Sequence, residues 1–144
     1  MVPAYSLVFP AAVLEHLLAE RSPGRALVLA MILLFGASKV LKAWAVLHLR
    51  EAWTMKVVLP RALRVVVTGP YRHVRHPNYV AVIGEILALP LAGGAWLTAL
   101  AAAILFAPLL CFRVRSEEAA LLARPEYAGA MGGKGRFIPG GGRG

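Results

Sequence analysis

The residues best suited to chemistry lie between residues 68 and 79, a polar stretch with apolar runs on both sides. Within residues 71–79 there are two histidines, two arginines and two tyrosines. Gly69 and Pro70 form a turn signal. Pro77 is placed to begin a helix, because the first helical turn needs no amide hydrogen bond there. So many donors and titratable groups at the start of an apolar helix indicate a polar ligand bound at a membrane surface.

A second polar cluster, residues 113–118, follows the last long apolar run. Arg113 and Glu117 are four residues apart, so they share one face if this stretch is helical. No metal site is expected, because the histidines of the first stretch are flanked by arginines that repel a cation, and the chain has neither an HExxH motif nor a cysteine pair. Nucleophilic catalysis is also disfavoured, since Ser116 lacks a GxSxG turn and an obvious base.

The composition predicts a membrane protein. Of the 144 residues, 59% are hydrophobic and 16% charged, against about 45–50% and 25% in soluble domains. The mean hydropathy of +0.67 points the same way. The net charge of +9 lies in two basic blocks next to apolar spans, which is typical of cytoplasmic loops facing anionic lipid. Membrane lipids, and not nucleic acid, are therefore the expected partners. Cys111, the only cysteine, excludes a disulfide framework.

The apolar runs predict an all-α integral membrane protein with about four transmembrane helices, since about 20 apolar residues cross the hydrocarbon core. These runs are residues 1–18, 26–49, 79–91 and 95–112. The first lacks the basic start and the cleavage site of a signal peptide, so we expect a membrane helix. The positive-inside rule places both basic blocks and both termini in the cytoplasm.

Gly93 and Gly94 predict a tight helical hairpin between the last two runs. Because one polar cluster leads into this hairpin and the other leads out of it, we expect the clusters to meet in one cytoplasmic site. The membrane domain is expected over residues 1–128. The Gly-rich stretch 129–144 is expected to be a tail with little order.

Two lysines interrupt the second apolar run and leave two interpretations open. Lys39 and Lys42 share one helix face. Either they extend to the cytoplasmic interface, or they face the bundle and meet a carboxylate such as Glu85.

Residues 69–79, followed by Glu85 and by Arg113, Glu117 and Glu118 in the pattern RxxxEE, resemble the isoprenylcysteine carboxyl methyltransferase family. The similarity extends upstream through Val65 and covers the hairpin, so it runs over roughly residues 26–128. The RHPxY string with a downstream RxxxEE is fairly specific. Members of this family are membrane methyltransferases that use S-adenosylmethionine, with a cofactor site in the cytoplasmic C-terminal part.

The resemblance also implies roles for individual residues. Arg113 would lie at the acceptor and the transferred methyl, with Glu118 as the second candidate catalytic residue. The chain departs from the family after Tyr127, where its continuation is poorer, which puts part of the lid over the cofactor in doubt. The cofactor-binding residues that the resemblance implies are Val65, Val66, Tyr71, His76, Pro77, Asn78, Tyr79 and Glu117.

We therefore expect an integral membrane O-methyltransferase that uses S-adenosylmethionine and acts on a lipidic small molecule. The resemblance to bacterial relatives with this compact pattern favours a phenolic or pyrone lipid, slightly above an isoprenylcysteine-like carboxylate. The Gly-, Ala- and Arg-rich composition is typical of bacteria, so the inner membrane is the expected location. The alternative is a non-catalytic membrane protein that binds lipid or a partner through basic-loop residues such as Arg61 and Arg64. A second alternative is a lipid reductase whose basic loop binds NADPH.

Overall fold

The computed structural model describes residues 2–49 and 65–140, with side chains from residue 6 onward. Within these ranges the chain has no strand, and an isolated bridge joins Val74 to Gly135. The all-α class is thereby confirmed for the described residues. Arg61 and Arg64 of the basic loop lie outside them. The regular elements are α1 (Val2–Ala19), α2 (Arg25–Leu49), the 3-10 turn Gly69–Arg72, α3 (Pro77–Ala92), α4 (Trp96–Leu122) and α5 (Pro125–Met131).

The helix bounds follow the apolar runs with one extension. α3 begins at Pro77, as predicted from the missing amide hydrogen of proline. Only three residues, 93–95, separate the end of α3 from the start of α4, as the predicted tight hairpin requires. α4 then continues beyond the apolar run to Leu122, so the whole cluster of residues 113–118 is helical.

Two helices have the properties of membrane spans. α2 and α4 are long and apolar enough to cross a bilayer, and only 6% and 28% of their most apolar windows are buried. A core helix of a soluble protein would be mostly buried, whereas a span exposes its apolar side chains to lipid. α3 and the part of α1 from Ser6 onward are shorter apolar helices. Four spans therefore remain a prediction. Exposed large side chains of α2 and α4 include Leu29, Leu33, Val40, Leu47, Leu97, Ile104, Leu105 and Phe112.

The chain divides into two compact units: Met1–Lys39 with Ala81–Leu109, and Val40–Val80 with Leu110–Gly144. In the first unit, Val8 of α1 packs with Ile86, Ala102 and Phe106. The hydrophobic effect does not drive helices together inside lipid, so van der Waals contacts of this kind help to hold them together.

Polar contacts also join the helices of the first unit. The carboxylate of Glu15 accepts hydrogen bonds from the backbone amides of Leu97 (3.0 Å) and Thr98 (2.7 Å). These amides belong to the first turn of α4, where no carbonyl of the same helix is available to them. Glu15 also pairs with Arg21 at 3.3 Å. A side chain of α1 thus caps the N-terminus of α4, a contact that no pattern in the sequence predicted.

Lys39 and Glu85 form an ion pair within the first unit. Nζ of Lys39 lies 3.2 Å from Oε1 of Glu85, whose side chain is fully buried while that of Lys39 is half exposed. The second of the two interpretations therefore holds for Lys39. Close by in the same unit, a methyl group on Gly84 would overlap Oγ of Ser38, so these helices approach at small residues.

The second unit contains two apolar clusters. Ala45, Tyr71, Tyr127 and Met131 form the first of them. Tyr79, Leu110 and Val114 form the other, with Phe137 packed against it. All side chains of the candidate site described below belong to this unit.

Candidate functional site

The loop that leads into α3 has its path set by local backbone constraints. Gly69 has a φ of +59°, and a Cβ there would lie 2.6 Å from the ring of His48, so only glycine fits. The turn from Gly69 to Arg72 closes when the His73 amide donates to the Pro70 carbonyl at 3.1 Å. The loop ends at His76, whose carbonyl accepts from the Tyr79 amide at 3.1 Å. His76 is thereby fixed directly before α3.

The hydroxyl of Tyr79 lies between an arginine and a glutamate of α4. It donates to Oε2 of Glu117 at 2.8 Å and accepts from Nε of Arg113 at 2.9 Å. Arg113 and Glu117 therefore do share a face, and residues 71–79 do meet residues 113–118. The predicted juxtaposition of the two clusters is confirmed. It places a guanidinium and a carboxylate side by side, joined through one phenol.

A second set of contacts surrounds the neighbouring carboxylate of Glu118, which is 3% exposed. Its Oε1 lies 3.2 Å from Nε2 of His76 and 3.3 Å from Nη1 of Arg75. Its Oε2 accepts from Nε of Arg136 at 2.7 Å. Two guanidinium groups lie against this carboxylate and donate to it. With Oε1 as the acceptor of the contact to His76, the tautomer that fits is the one with its proton on Nε2.

The segment after α5 contributes to this arrangement through its backbone. The carbonyls of Gly135 and Arg136 accept hydrogen bonds from the amides of Arg75 (2.9 Å) and His76 (3.0 Å). Phe137 packs against the cluster of Tyr79, Leu110 and Val114, and its ring centroid lies 6.2 Å from that of His76. The division of the chain at residue 128 stays a prediction. The described part of the segment beyond it makes these specific contacts.

The electrostatic surroundings favour neutral forms of the buried ring groups. Burial lowers the pKa of His76, against the opposing attraction of Glu117 and Glu118. Burial also raises the pKa of Tyr71, and the charge of Glu117 adds to this effect. For the same two reasons the pKa of Tyr127 rises to about 12. At neutral pH these side chains therefore act as hydrogen-bonding or stacking groups and carry no charge.

The polar atoms of the site are not all satisfied by the chain itself. Nε of Arg75 and Oδ1 of Asn78 are buried and form no hydrogen bond within the described part of the protein. Such orphaned groups are costly unless a ligand or water completes them. One is a donor with positive charge and the other is an acceptor. They suit the carboxylate and the ammonium group of an amino-acid moiety.

An apolar groove of about 250 Å³ lies in the same unit. Aromatic and proline side chains form much of its wall, and Pro77 and Phe137 are shared with the surroundings of His76. Apolar walls with few polar groups are typical of small-molecule sites. The lining residues are Leu41, Trp44, Pro70, His73, Val74, Pro77, Val80, Phe137 and Pro139.

The remaining predicted residues lie in two places. Val65 and Val66 pack against the cluster that contains Tyr71. Three residues with prominent contacts were missing from the predicted set: Arg75, Arg136 and Phe137. Arg75 stood inside the recognised stretch and could have been found there. For Arg136 and Phe137, which lie among glycines, no pattern in the chain pointed to the site.

The fold and the site together are those of a helical membrane protein with a polar site at the start of one helix. The isoprenylcysteine carboxyl methyltransferase (ICMT) family model matches residues 27–123. The chain belongs to this family, which points to a membrane methyltransferase.

Two relatives are similar over most or part of the chain. The uncharacterized protein YpbQ of Bacillus subtilis is 33% identical over 122 residues, which cover 84% of this chain and 71% of that protein. An uncharacterized protein of Haemophilus influenzae is 30% identical over 79 residues, covering 54% of this chain and 46% of that protein. No solved structure matches the chain.

Proposed function

We propose that the protein is an integral membrane O-methyltransferase that uses S-adenosylmethionine and methylates an acidic oxygen of a lipidic acceptor. The observation that carries this proposal is the arrangement around Tyr79, where Glu117 and Arg113 share one hydroxyl. It gives one helix face an anion for a cationic cofactor and a cation for an anionic acceptor.

The residues of the site divide between the parts of the cofactor. Glu117, with the aromatic ring of Tyr79 beside it, provides the negative and π-rich surroundings that attract a sulfonium or an ammonium group. Nε of Arg75, which has no partner among the described residues, can donate to the cofactor carboxylate. Nδ1 of His76 can accept from the ammonium group of the cofactor or from a hydroxyl. Apolar walls near Tyr71, packed by Val65 and Val66, suit an adenine. Pro77 and Asn78 form the start of the helix that carries these groups.

Three arginines and two glutamates make up the charged part of the site. Arg75, Arg113 and Arg136 against Glu117 and Glu118 leave an excess of one positive charge while His76 is neutral. This excess favours a bound anion, such as a deprotonated acceptor oxygen. Arg113 is suited to hold that oxygen because its guanidinium stays charged and keeps its plane.

When bound, S-adenosylmethionine supplies a methyl group on positively charged sulfur, so that transfer to an oxygen anion forms a C–O bond as the C–S bond breaks. This chemistry needs little acid–base help, and alignment of the reacting atoms supplies much of the rate. The protein's task is therefore to bind and orient. Glu118, buried among Arg75, His76 and Arg136, serves this task as a positioning residue.

The lipidic acceptor explains why such a site is carried by membrane helices. We rank a phenolic or pyrone lipid slightly above an isoprenylcysteine-like carboxylate. An acceptor panel in detergent separates the two classes: methylation of a farnesylcysteine analogue without methylation of alkylpyrones reverses this ranking. We further propose four spans with the site and both termini in the cytoplasm of a bacterium. A cysteine-accessibility map from both sides of the membrane tests this topology.

Calorimetric binding of S-adenosylmethionine to the purified protein in detergent tests the cofactor assignment. We expect His76→Ala and Glu117→Gln to abolish binding in folded protein, and Arg115→Gln, an exposed position of α4, to retain it. Absence of binding by folded wild-type protein would refute the methyltransferase proposal. It would favour a non-catalytic protein that binds lipid or a partner.

A further inference from the structure

Arg136 is not among the residues predicted to bind the cofactor, yet it makes the shortest contact to the buried carboxylate of Glu118. We propose that Arg136 is a positioning residue of this site: it holds Glu118 from the C-terminal segment, so that Glu118 keeps the His76 ring oriented with Nδ1 available as a hydrogen-bond acceptor. This inference rests on the proposed function, since the ligand that Nδ1 would serve is the cofactor.

The two oxygens of Glu118 have different partners. Oε1 serves both Arg75 and His76, whereas Oε2 serves Arg136. Without Arg136, Oε2 would be buried with none of these cations beside it. A buried carboxylate oxygen that loses its charged partner pays a desolvation cost. The carboxylate would then gain by rotating toward Arg75, which would disturb the bond to Nε2 of His76.

The position of Arg136 does not depend on its own side chain. Two backbone hydrogen bonds, from Arg75 to the Gly135 carbonyl and from His76 to the Arg136 carbonyl, fix the segment at 2.9 and 3.0 Å. Nζ of Lys134 donates to the Tyr71 carbonyl at 2.8 Å, and Phe137 packs on an apolar cluster. A substitution of the Arg136 side chain therefore leaves its backbone in place and tests the side chain alone.

The charge of Arg136 also affects the protonation of His76. Groups that face His76 come from four places. They are Glu117 and Glu118 of α4, Arg75 in its own loop, the ring of Tyr79 in α3 and the ring of Phe137 in the C-terminal segment. Arg136 neutralises part of the charge of Glu118. Loss of that cation leaves a more negative surrounding and favours protonated His76. Protonation places a hydrogen on Nδ1 and removes its acceptor role.

The test compares Arg136→Gln with Arg136→Lys, and with Arg115→Gln as a control that removes the same charge from an exposed position of α4. One readout needs no cofactor: the pKa of His76 in the full chain in detergent, followed by NMR of labelled histidine and assigned with His76→Gln. The other is calorimetric binding of S-adenosylmethionine at pH 7. We expect Arg136→Gln to raise the pKa of His76 and to weaken binding about tenfold, as for loss of a charged hydrogen bond. Arg136→Lys should show smaller changes and Arg115→Gln none.

The outcomes separate the two proposals. Wild-type affinity and a wild-type pKa of His76 in Arg136→Gln overturn the role of Arg136 and leave the cofactor assignment standing. A folded wild-type protein that does not bind S-adenosylmethionine overturns the proposed function, while the NMR titration still decides whether Arg136 acts on His76. If Arg136→Gln does not fold, Arg136→Met, which also removes the charge, takes its place, and unchanged readouts in Arg136→Met overturn the inference.

Discussion

The hydroxyl of Tyr79 donates a hydrogen bond of 2.8 Å to Oε2 of Glu117. The same oxygen accepts from Nε of Arg113 at 2.9 Å. A single atom of α3 thus fixes the separation between the two charged groups of α4 that we assign to the cofactor and to the acceptor.

Tyr79→Phe is expected to weaken S-adenosylmethionine binding by about tenfold or more, because it removes two hydrogen bonds to charged groups, each contributing roughly 1.5–3 kcal/mol. The phenyl ring keeps its packing on Leu110 and Val114, so the variant should still fold, although its unfolding temperature should fall because both bonds also stabilise the ligand-free protein. Calorimetry in detergent measures the effect. Tyr127→Phe is the matched control, since it makes the same chemical change at a buried tyrosine of the other apolar cluster in this unit. Equal affinities of both variants and wild type would contradict a role for the Tyr79 hydroxyl.

His76 should make the stability of the protein depend on pH. Burial lowers its pKa in the folded state below the ordinary value of about 6.5. As the pH falls through that value, the unfolded chain takes up a proton that the folded chain does not, so stability decreases by at most about 1.4 kcal/mol per pH unit. The decrease ends once the pH falls below the folded pKa.

Thermal unfolding in detergent between pH 7.5 and 5 measures this contribution as the difference between wild type and His76→Gln. The difference should shrink as the pH falls. His73→Gln, which removes an exposed histidine of the same loop, is the control. A difference that grows on acidification would mean that folding favours the protonated ring, and the sign given above would be wrong.

Glu15 caps α4 from a different helix, so its substitution tests the first unit without touching the site. Glu15→Gln keeps one amide oxygen for Leu97 or Thr98 but loses the second acceptor and the charge that pairs with Arg21. We expect a lower free energy of unfolding, because a helix cap is weakened and an ion pair is lost. Glu20→Gln makes the same chemical change in the following loop and should be neutral. A cap that contributes nothing would leave both variants equal to wild type.

The extent to which sequence predicts this structure differs between its parts. Run length and the Gly93–Gly94 link were enough to predict the α3–α4 hairpin and the meeting of residues 71–79 with residues 113–118, because a hairpin with so short a link must return along itself. The particular contact between Tyr79 and Glu117 came from the structure. Residues 134–137 were beyond such reasoning. Glycines around them carry no periodicity, and their placement depends on tertiary hydrogen bonds to the Arg75 and His76 amides. Glu15 was missed for a related reason: one acid in an apolar helix does not specify which amides it caps.

The lysines of α2 show where sequence leaves a choice that packing decides. A lysine near a helix end reaches the interface in most membrane proteins, and that outcome needs no partner. Lys39 instead lies 3.2 Å from the fully buried carboxylate of Glu85 and 5.1 Å from the ring centroid of Phe35. A buried carboxylate without a cation beside it is strongly destabilising. The pair with Lys39 avoids that cost, which favours it over extension of the lysine to the interface.

Lys39→Met therefore should destabilise the protein by about 1–3 kcal/mol, a value below that of fully buried pairs because the Lys39 side chain is half exposed. Lys39→Met with Glu85→Gln should recover most of the loss, since the neutral amide needs no cation. Thermal unfolding of both single variants and the double variant in detergent gives the coupling between the two positions. If Lys39 only extended to the interface, Lys39→Met would be neutral or stabilising, and its effect would add to that of Glu85→Gln. A coupling near zero would thus restore the first interpretation of this lysine and leave Glu85 to be stabilised by other groups.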